Sequence, residues 1–167
     1  MGARKLKEWV AHPLLIKNEI NERLDALDEM LNNPILQADL KNELREIHDL
    51  GRLMGRVGSG RANGRDLMAL GKSLVKAAAV GALLADTKCP FLKQSGISGE
   101  DLLEKGHYIL AYVTDEPPLT LREGRIIRPG CSPKLDALNE GIREAREWLS
   151  GLEAVSYTHL RAHETRI

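Results

Sequence analysis

Apolar residues recur every three or four positions along most of the chain, which is the spacing of one face of an α-helix. Between Asn18 and Asn32 this stripe consists of Ile20, Leu24, Leu27, Met30 and Leu31. Asn33 and Pro34 follow, a side-chain cap and a first-turn proline that favour a new helix start. The next stripe carries Leu36, Leu40, Leu44 and Ile47. Because the turn is so short, we expect the two helices to pack antiparallel.

The same spacing predicts four more helices before residue 114. They are a short basic helix over Arg4–Ala11, a short helix that Asp49 can cap, a long helix over Asp66–Ala85 and another over Glu100–Val113. Glycines inside them weaken a helix by about 1 kcal/mol each relative to alanine. The stretch Asp86–Gly99 is rich in helix breakers and is interpreted as a surface connection.

The last helical pattern is the most regular of all. Ser132 followed by Pro133 predicts its start. Its apolar residues step by three and four, as in the seam of a coiled coil: Leu135, Leu138, Ile142, Ala145, Leu149 and Leu152. A straight helix over Pro133–Ala154 would be about 33 Å long.

Residues 119–128 have a different pattern, in which apolar and polar residues alternate around a Glu-Gly turn. Such alternation predicts a small β-hairpin. The predicted fold is therefore mainly α: an antiparallel helical bundle with one small hairpin and a long C-terminal helix resembling a coiled-coil strand.

The segment 155–167, VSYTHLRAHETRI, departs from the helical period and contains two of the five histidines. It resembles one reading-frame translation of a transposon adapter used in preparing sequencing libraries. We interpret it as an assembly artefact without a folded element of its own. The alternative is an authentic histidine-containing tail that binds a metal.

Composition narrows the function classes without choosing one. The 24 basic and 24 acidic residues give no single-sign field that would indicate a nucleic-acid or membrane surface for the whole chain. Cys89 and Cys131 lack CxxC spacing, which is typical of a protein in a reducing cytosol. The sequence has no apolar run near the roughly 20 residues that a membrane span needs, so we expect a cytoplasmic protein without a membrane partner.

Candidate chemistry is sparse. The glycines of GSGRANG, residues 58–64, miss the spacing of a nucleotide-binding loop, which favours a plain loop between helices. Four arginines gather around this loop, where phosphate contact and pairing with nearby acids are both open, the second being favoured: Arg52, Arg56, Arg61 and Arg65.

The remaining polar and aromatic candidates also favour structural roles. His12, His48 and His107 have no metal-ligand spacing. Asp115 and Glu116 precede two prolines and are interpreted as a rigid exposed turn rather than an acid-base pair. Trp9 and Trp148 are interpreted as packing anchors. We predict no catalytic, cofactor-binding or metal-binding residue, and no enzyme activity for this chain.

Ordered motifs nevertheless resemble those of one family. MGARKLKEWVAHPL resembles MGxRxLxxWLxxPL, and INERLDALDEML resembles a helix containing RLDAVExL. DLGRLMGRV and GRANGRDLMAL resemble DLERLLxRxxxGRANPRDLLAL. VTDEPPLTLREGRIIRPGCSPKLDALNE resembles DEPPLxLREGGxIxxGYxxELDxLR. These blocks cover most of residues 1–154 and are similar to the MutS family of bacterial DNA mismatch-repair proteins. The chain departs from the family pattern at four positions: Gly51, Gly64, Arg125 and Cys131.

The resemblance implies a function in a longer protein. It assigns residues 1–131 to the helical core of MutS, and residues 132–154 to the start of a lever helix that leads to a DNA clamp. The mismatch wedge, the clamp and the ATPase motifs are expected outside this chain, together with ATP and magnesium, and Met1 is expected to be an internal methionine of the longer protein.

The implied partners are the other MutS domains, mismatched duplex DNA, a second MutS subunit and MutL. In this hypothesis the lever couples the ATPase state to DNA clamping and mismatch binding. The alternative is a free-standing helical module that binds a partner protein along the Leu135–Leu152 stripe.

Overall fold

The structure is a computed structural model that describes the backbone of residues 2–96 and 99–164, with side chains as far as Leu152. Within those ranges it contains eight α-helices and no strand. The helices are α1 Gly2–Ala11, α2 Lys17–Asn32, α3 Pro34–Glu46, α4 Leu50–Gly58, α5 Gly64–Ala85, α6 Pro90–Ser95, α7 Gly99–Tyr112 and α8 Pro133–Glu164. The chain divides into two compact units, Met1–Ile127 and Arg128–Ile167.

Two of the helices start where the sequence predicts, because their caps are local. The Asn33 side chain accepts a hydrogen bond from the backbone N–H of Leu36 at 3.1 Å, which caps α3. The Asp49 carboxylate likewise accepts from the backbone N–H of Arg52 at 3.1 Å and caps α4. Each side chain satisfies a backbone donor that the first helical turn leaves without a partner.

Helix α5 lies at the centre of the first unit and packs against α3, α4, α6 and α7. Among the described residues it is the one helix long and apolar enough, by length and composition alone, to cross a membrane. Its core position accounts for that composition, since its buried side chains face neighbouring helices. Helix α5 also contributes to an apolar cluster with residues of α2, α3 and the α6 segment. Its buried members are Ala26, Leu40, Leu84, Cys89 and Leu92.

Glycine lets α7 approach α5 closely. A Cβ atom on Gly106 would lie 2.8 Å from Cγ2 of Val75 and 3.1 Å from the carbonyl oxygen of Gly71. A Cβ on Gly71 would lie 3.1 Å from the Leu110 side chain. Gly71 weakens its own helix locally, but it also sets the distance between α5 and α7.

The interpretation of Asp86–Gly99 as a surface connection is wrong for its described part. Helix α6 forms within it, and Thr87, Cys89 and Leu92 are buried. The Glu29 carboxylate of α2 accepts the backbone N–H groups of Lys88 and Cys89, both at 2.6 Å. A contact from a distant helix therefore orders a segment whose local composition favours a loop.

The predicted β-hairpin near residues 119–128 is also wrong. Leu121–Glu123 forms a 3-10 turn, and Val113 and Ile127 form an isolated bridge. The Glu123 carboxylate accepts the backbone N–H of Thr120 at 3.2 Å and the Thr120 hydroxyl at 2.7 Å. This capping interaction winds the chain into a helical turn. Leu119 and Leu121 are exposed, so no apolar face would stabilise a hairpin here.

Arg125 departs from the family pattern at a position where the backbone conformation favours glycine. It has a φ of 57°, a backbone conformation that costs a non-glycine residue about 1–2 kcal/mol. The family motif that the sequence resembles has glycine at this place. The turn geometry therefore persists with arginine, at an energetic cost.

In the second unit, α8 starts as predicted. The Ser132 hydroxyl accepts from the backbone N–H of Leu135 at 3.5 Å. The backbone of α8 continues to Glu164, so the prediction that helix stops near Ala154 is wrong for the backbone. The side chains of the adapter-like segment lie outside the described residues, and its origin stays a prediction.

Candidate functional site

Helix α5 begins in a polar network that we call the entry junction, formed by Arg56, Asn63, Arg65, Asp66 and Pro117. The Asn63 side chain accepts from the backbone N–H of Asp66 at 2.8 Å, and the Asp66 carboxylate accepts from the backbone N–H of Asn63 at 3.1 Å. This reciprocal pair is a capping box. It positions a carboxylate at the positive end of the helix dipole, where negative charge is favourable.

Asp66 also holds α4 against α5. The Arg56 guanidinium donates to its carboxylate at 2.6 Å, and Asp66 is buried. The predicted pairing with a nearby acid is thus confirmed for Arg56. Arg65 donates instead to the backbone carbonyl of Pro117 at 3.2 Å. The guanidinium groups of Arg56 and Arg65 therefore bind different partners.

The loop between α4 and α5 closes α4 and does not form a phosphate cradle. The backbone N–H groups of Ser59, Gly60 and Arg61 donate to the carbonyls of Gly55, Val57 and Arg56 respectively. A phosphate-binding loop needs such N–H groups directed at the ligand. The loop therefore serves as the plain connection between helices that the sequence predicts.

Pro117 joins the turn after α7 to the start of α5. A Cβ atom on Gly64 would lie 2.6 Å from Cβ of Pro117. The family motif has proline where this chain has Gly64, and a first-turn position favours proline. In this chain the space is filled by Pro117, so Gly64 and Pro117 form a close contact between two of the family-like motifs.

The remaining candidates, the three histidines and the Asp115–Glu116 pair, do not all form a common site among the described residues. His48 is bound to Ser73 of α5 through its backbone. Ser73 is fully buried, and its hydroxyl accepts from the backbone N–H of His48 at 3.0 Å, which ties α5 to the segment before α4. His12 and His107 are exposed, as are Asp115 and Glu116. Among the described residues no group of three or more histidine, cysteine, aspartate or glutamate side chains could hold a metal ion.

The two tryptophans have different environments. The guanidinium of Arg23 lies 4.0 Å from the centre of the Trp9 ring, a cation–π contact between α1 and α2. Trp148 on α8 is 66% exposed, so its interpretation as a packing anchor is wrong in this structure. Sequence periodicity identifies an apolar stripe but not whether another element covers it.

The apolar seam of α8 is exposed in the same way. Leu138 is 59% and Leu149 is 55% exposed, and Ile142 and Leu152 are exposed as well. On the same helix Arg143 donates to Glu147 at 2.8 Å and to Glu140 at 3.0 Å. Hydrogen bonding to Arg143 lowers the pKa of Glu140 below its ordinary value of 4.5, and the Glu140 carboxylate raises the pKa of Arg143.

We call the ion pairs of Arg143 with Glu140 and Glu147 the charged ladder. We expect a fall in pH to destabilise α8 at the charged ladder. Since the folded-state pKa of Glu140 is depressed, its contribution is complete above the ordinary value of 4.5 and is lost as the pH falls through the folded-state pKa. The protection factors of the amide hydrogens of residues 137–147, which correct for the intrinsic effect of pH on exchange, should fall over this range more in the unaltered chain than in Glu140→Gln. Glu144→Gln is the matched control and should retain the unaltered response. Equal responses in the two variants would contradict the role of the ladder.

Taken together, the described residues form a helical structural segment, with a closely packed core in one unit and a long helix in the other. The chain matches the family described as MutS domain III over residues 1–165. The chain belongs to the MutS family.

Curated relatives agree with this assignment. The chain is 43% identical over 153 residues to the DNA mismatch repair protein MutS of Microcystis aeruginosa, covering 92% of this chain and 17% of the relative. It is 39% identical over 153 residues to MutS of a Synechocystis species, with the same coverage of 92% and 17%. It is 40% identical over 154 residues to MutS of Symbiobacterium thermophilum, covering 92% of this chain and 18% of that protein.

The chain thus spans about a sixth of the length of these relatives. A continuous family match over residues 1–165 does not favour the alternative of an unrelated, free-standing interaction module.

Proposed function

We propose that this chain is the core and lever of a MutS mismatch-repair protein, and that it couples the ATPase state of the longer protein to DNA clamping and mismatch binding. The observation that carries the proposal is the unbroken course of α8 from Pro133 to Ala154, the part of the helix that lies before the adapter-like segment. At a rise of 1.5 Å per residue this part of the helix is about 33 Å long. A rod of this length links distant parts of a molecule without intervening loops.

The ion pairs of Arg143 with Glu140 and Glu147 support α8 beside one of its glycines. Gly141 lies in open space and weakens the helix by about 1 kcal/mol relative to alanine. Arg143 bridges Glu140 and Glu147, one pair on each side, across this part of the helix. Pairs at these spacings stabilise an exposed helix locally.

Contacts within the first unit support the proposal because they indicate a stiff unit. Gly106 and Gly71 bring α7 close to α5, Lys76 of α5 pairs with Glu43 and Glu46 of α3 at 3.1 Å each, and Asp66 holds α4. Closely packed interiors shift between discrete arrangements rather than deforming continuously. A unit held this way would move as one body when a neighbouring domain changes state.

The proposal extends to the longer protein. ATP and Mg²⁺ would be bound by its ATPase domain, and the partners would be mismatched duplex DNA, a second MutS subunit and MutL. The protein would act in the cytoplasm. In this scheme the present segment transmits a change and carries no reacting group itself.

A proline in α8 tests the coupling. In a full-length MutS protein that carries this segment, Ala145→Pro should break the rod, because proline in a helix interior costs about 3 kcal/mol or more. The change in affinity for mismatched DNA on adding ATP should shrink towards unity, whereas typical coupling between sites is about 5- to 150-fold. ATP hydrolysis without DNA should persist.

Ala145→Ser is the matched control, since it keeps the helix and the exposed position. It should retain the full response of DNA affinity to ATP. If a folded Ala145→Pro protein kept that response too, the lever proposal would be wrong.

A further inference from the structure

A groove of about 770 Å³ runs between α3 and α5. On α3 its lining includes Ile35 and Asp39, and on α5 it includes Ala79 and Ala82, with Asp86 at the end of that helix. We call it the acidic groove. Of the residues that line it, the proposed lever function uses only Glu43, which pairs with Lys76.

All of the charged residues that line the acidic groove are acids: Asp39, Glu43 and Asp86. Glu43 is already paired with Lys76 at 3.1 Å. Asp39 and Asp86 are exposed and supply the remaining negative charge. A ligand with positive charge at its edges would complement this lining.

The apolar part of the groove fits a helix. Ile35 is 75% exposed, and Leu36 and Leu83 are half-buried behind it. Ala79 and Ala82 are small, so the backbone of α5 is accessible to another helix at close range. Helix α3 has 13 residues, and a helix laid along it would have about 20 Å of contact length.

The opposite side of α3 has the reverse charge. A second groove of about 580 Å³ is lined by Lys41 and Arg45 together with apolar residues that include Leu40 and Leu44. Helix α3 thus separates an acidic groove from a basic one. Because acidic and basic side chains lie on different sides of α3, the two grooves would favour ligands of opposite charge.

We propose that the acidic groove binds an amphipathic helix whose apolar ridge is flanked by lysine or arginine. The ridge packs on Ile35 and the alanines of α5, as in helix-in-groove recognition. The flanking cations face Asp39 and Asp86. The charge pattern selects a basic-edged helix over an acidic one.

Binding of a designed peptide to the 167-residue chain tests this. The probe is a labelled 16-residue helix with a leucine-alanine ridge and lysine edges, followed by fluorescence anisotropy, and its counterpart has glutamate edges. The lysine peptide should bind saturably, and binding should weaken with added salt. Asp39→Asn and Asp86→Asn should each weaken it about two- to fivefold. The double reversal to lysine should weaken it about tenfold or more.

Two controls separate the groove from general charge attraction. Ala82→Trp fills the groove without altering its charge and should abolish binding. Lys41→Glu with Arg45→Glu alters only the opposite groove and should leave binding of the lysine peptide unchanged. Circular dichroism establishes that each variant keeps its helix content. Equal binding of both peptides, undiminished binding to a folded Ala82→Trp chain, or no saturable binding would each overturn the proposal.

Discussion

Gly106→Val is expected to lower the free energy of unfolding of the first unit by about 3 kcal/mol or more, at the upper end for an overpacked core. The added Cβ would lie 2.8 Å from Cγ2 of Val75 and 3.2 Å from the backbone nitrogen of the same residue. A side chain could rotate away, but the backbone of α5 cannot move without disturbing its contacts with α3 and α4. The melting temperature should fall by about 10 °C.

Thermal and urea unfolding, followed by circular dichroism, measure the effect. Gly55→Ala is the matched control, because Gly55 lies inside α4 and a Cβ there would have no neighbour within 4 Å. It should stabilise the chain by about 0.5–1 kcal/mol, as expected for alanine replacing glycine in a helix. Unaltered stability of Gly106→Val would show that α5 and α7 are not closely packed.

Glu29→Ala is expected to cost about 2–4 kcal/mol and to release α6 from α2. The Glu29 carboxylate accepts two backbone N–H groups at 2.6 Å, those of Lys88 and Cys89. Hydrogen bonds to a charged group contribute about 1.5–3 kcal/mol each, and the Cys89 donor lies in a partly buried position. Removing the carboxylate leaves both donors without their partner.

The reactivity of Cys89 reports this release directly. Cys89 is a buried free thiol, and in a Cys131→Ser background it is the only thiol in the chain. Its labelling by a thiol reagent should become much faster in Glu29→Ala, because α6 opens more often. Asp28→Ala, which removes a neighbouring exposed carboxylate, should leave the rate unchanged. Equal rates in the two variants would contradict the docking role of Glu29.

Part of the entry junction follows from the sequence. The prediction that arginines near residues 52–65 pair with acids is confirmed for Arg56, but nothing local selects Arg56 over Arg52 or identifies Asp66 as its partner. The contact of Arg65 with Pro117 joins residues 52 positions apart. Only the packing of α7 on α5 brings them together.

The apolar seam of α8 shows that hydrophobic periodicity predicts a helix but does not predict whether its apolar face is buried. Steps of three and four identify the face of a helix that can pack, and α8 is a helix as predicted. Burial requires a second surface, which the pattern of one segment does not specify. Leu138 and Leu149 are therefore correctly placed on one stripe and yet exposed.

The amino-acid sequence is enough to predict the helical class, the caps at Asn33 and Asp49, the start of α8 and the resemblance to the MutS family. These features depend on neighbouring residues or on ordered motifs, and both can be found in a single chain. Three features become visible only in the folded chain: helix α6, the turn in place of the hairpin and the close approach at Gly106. The reason is physical: each depends on groups distant in sequence, whose contacts outweigh the weak local preferences of the segment.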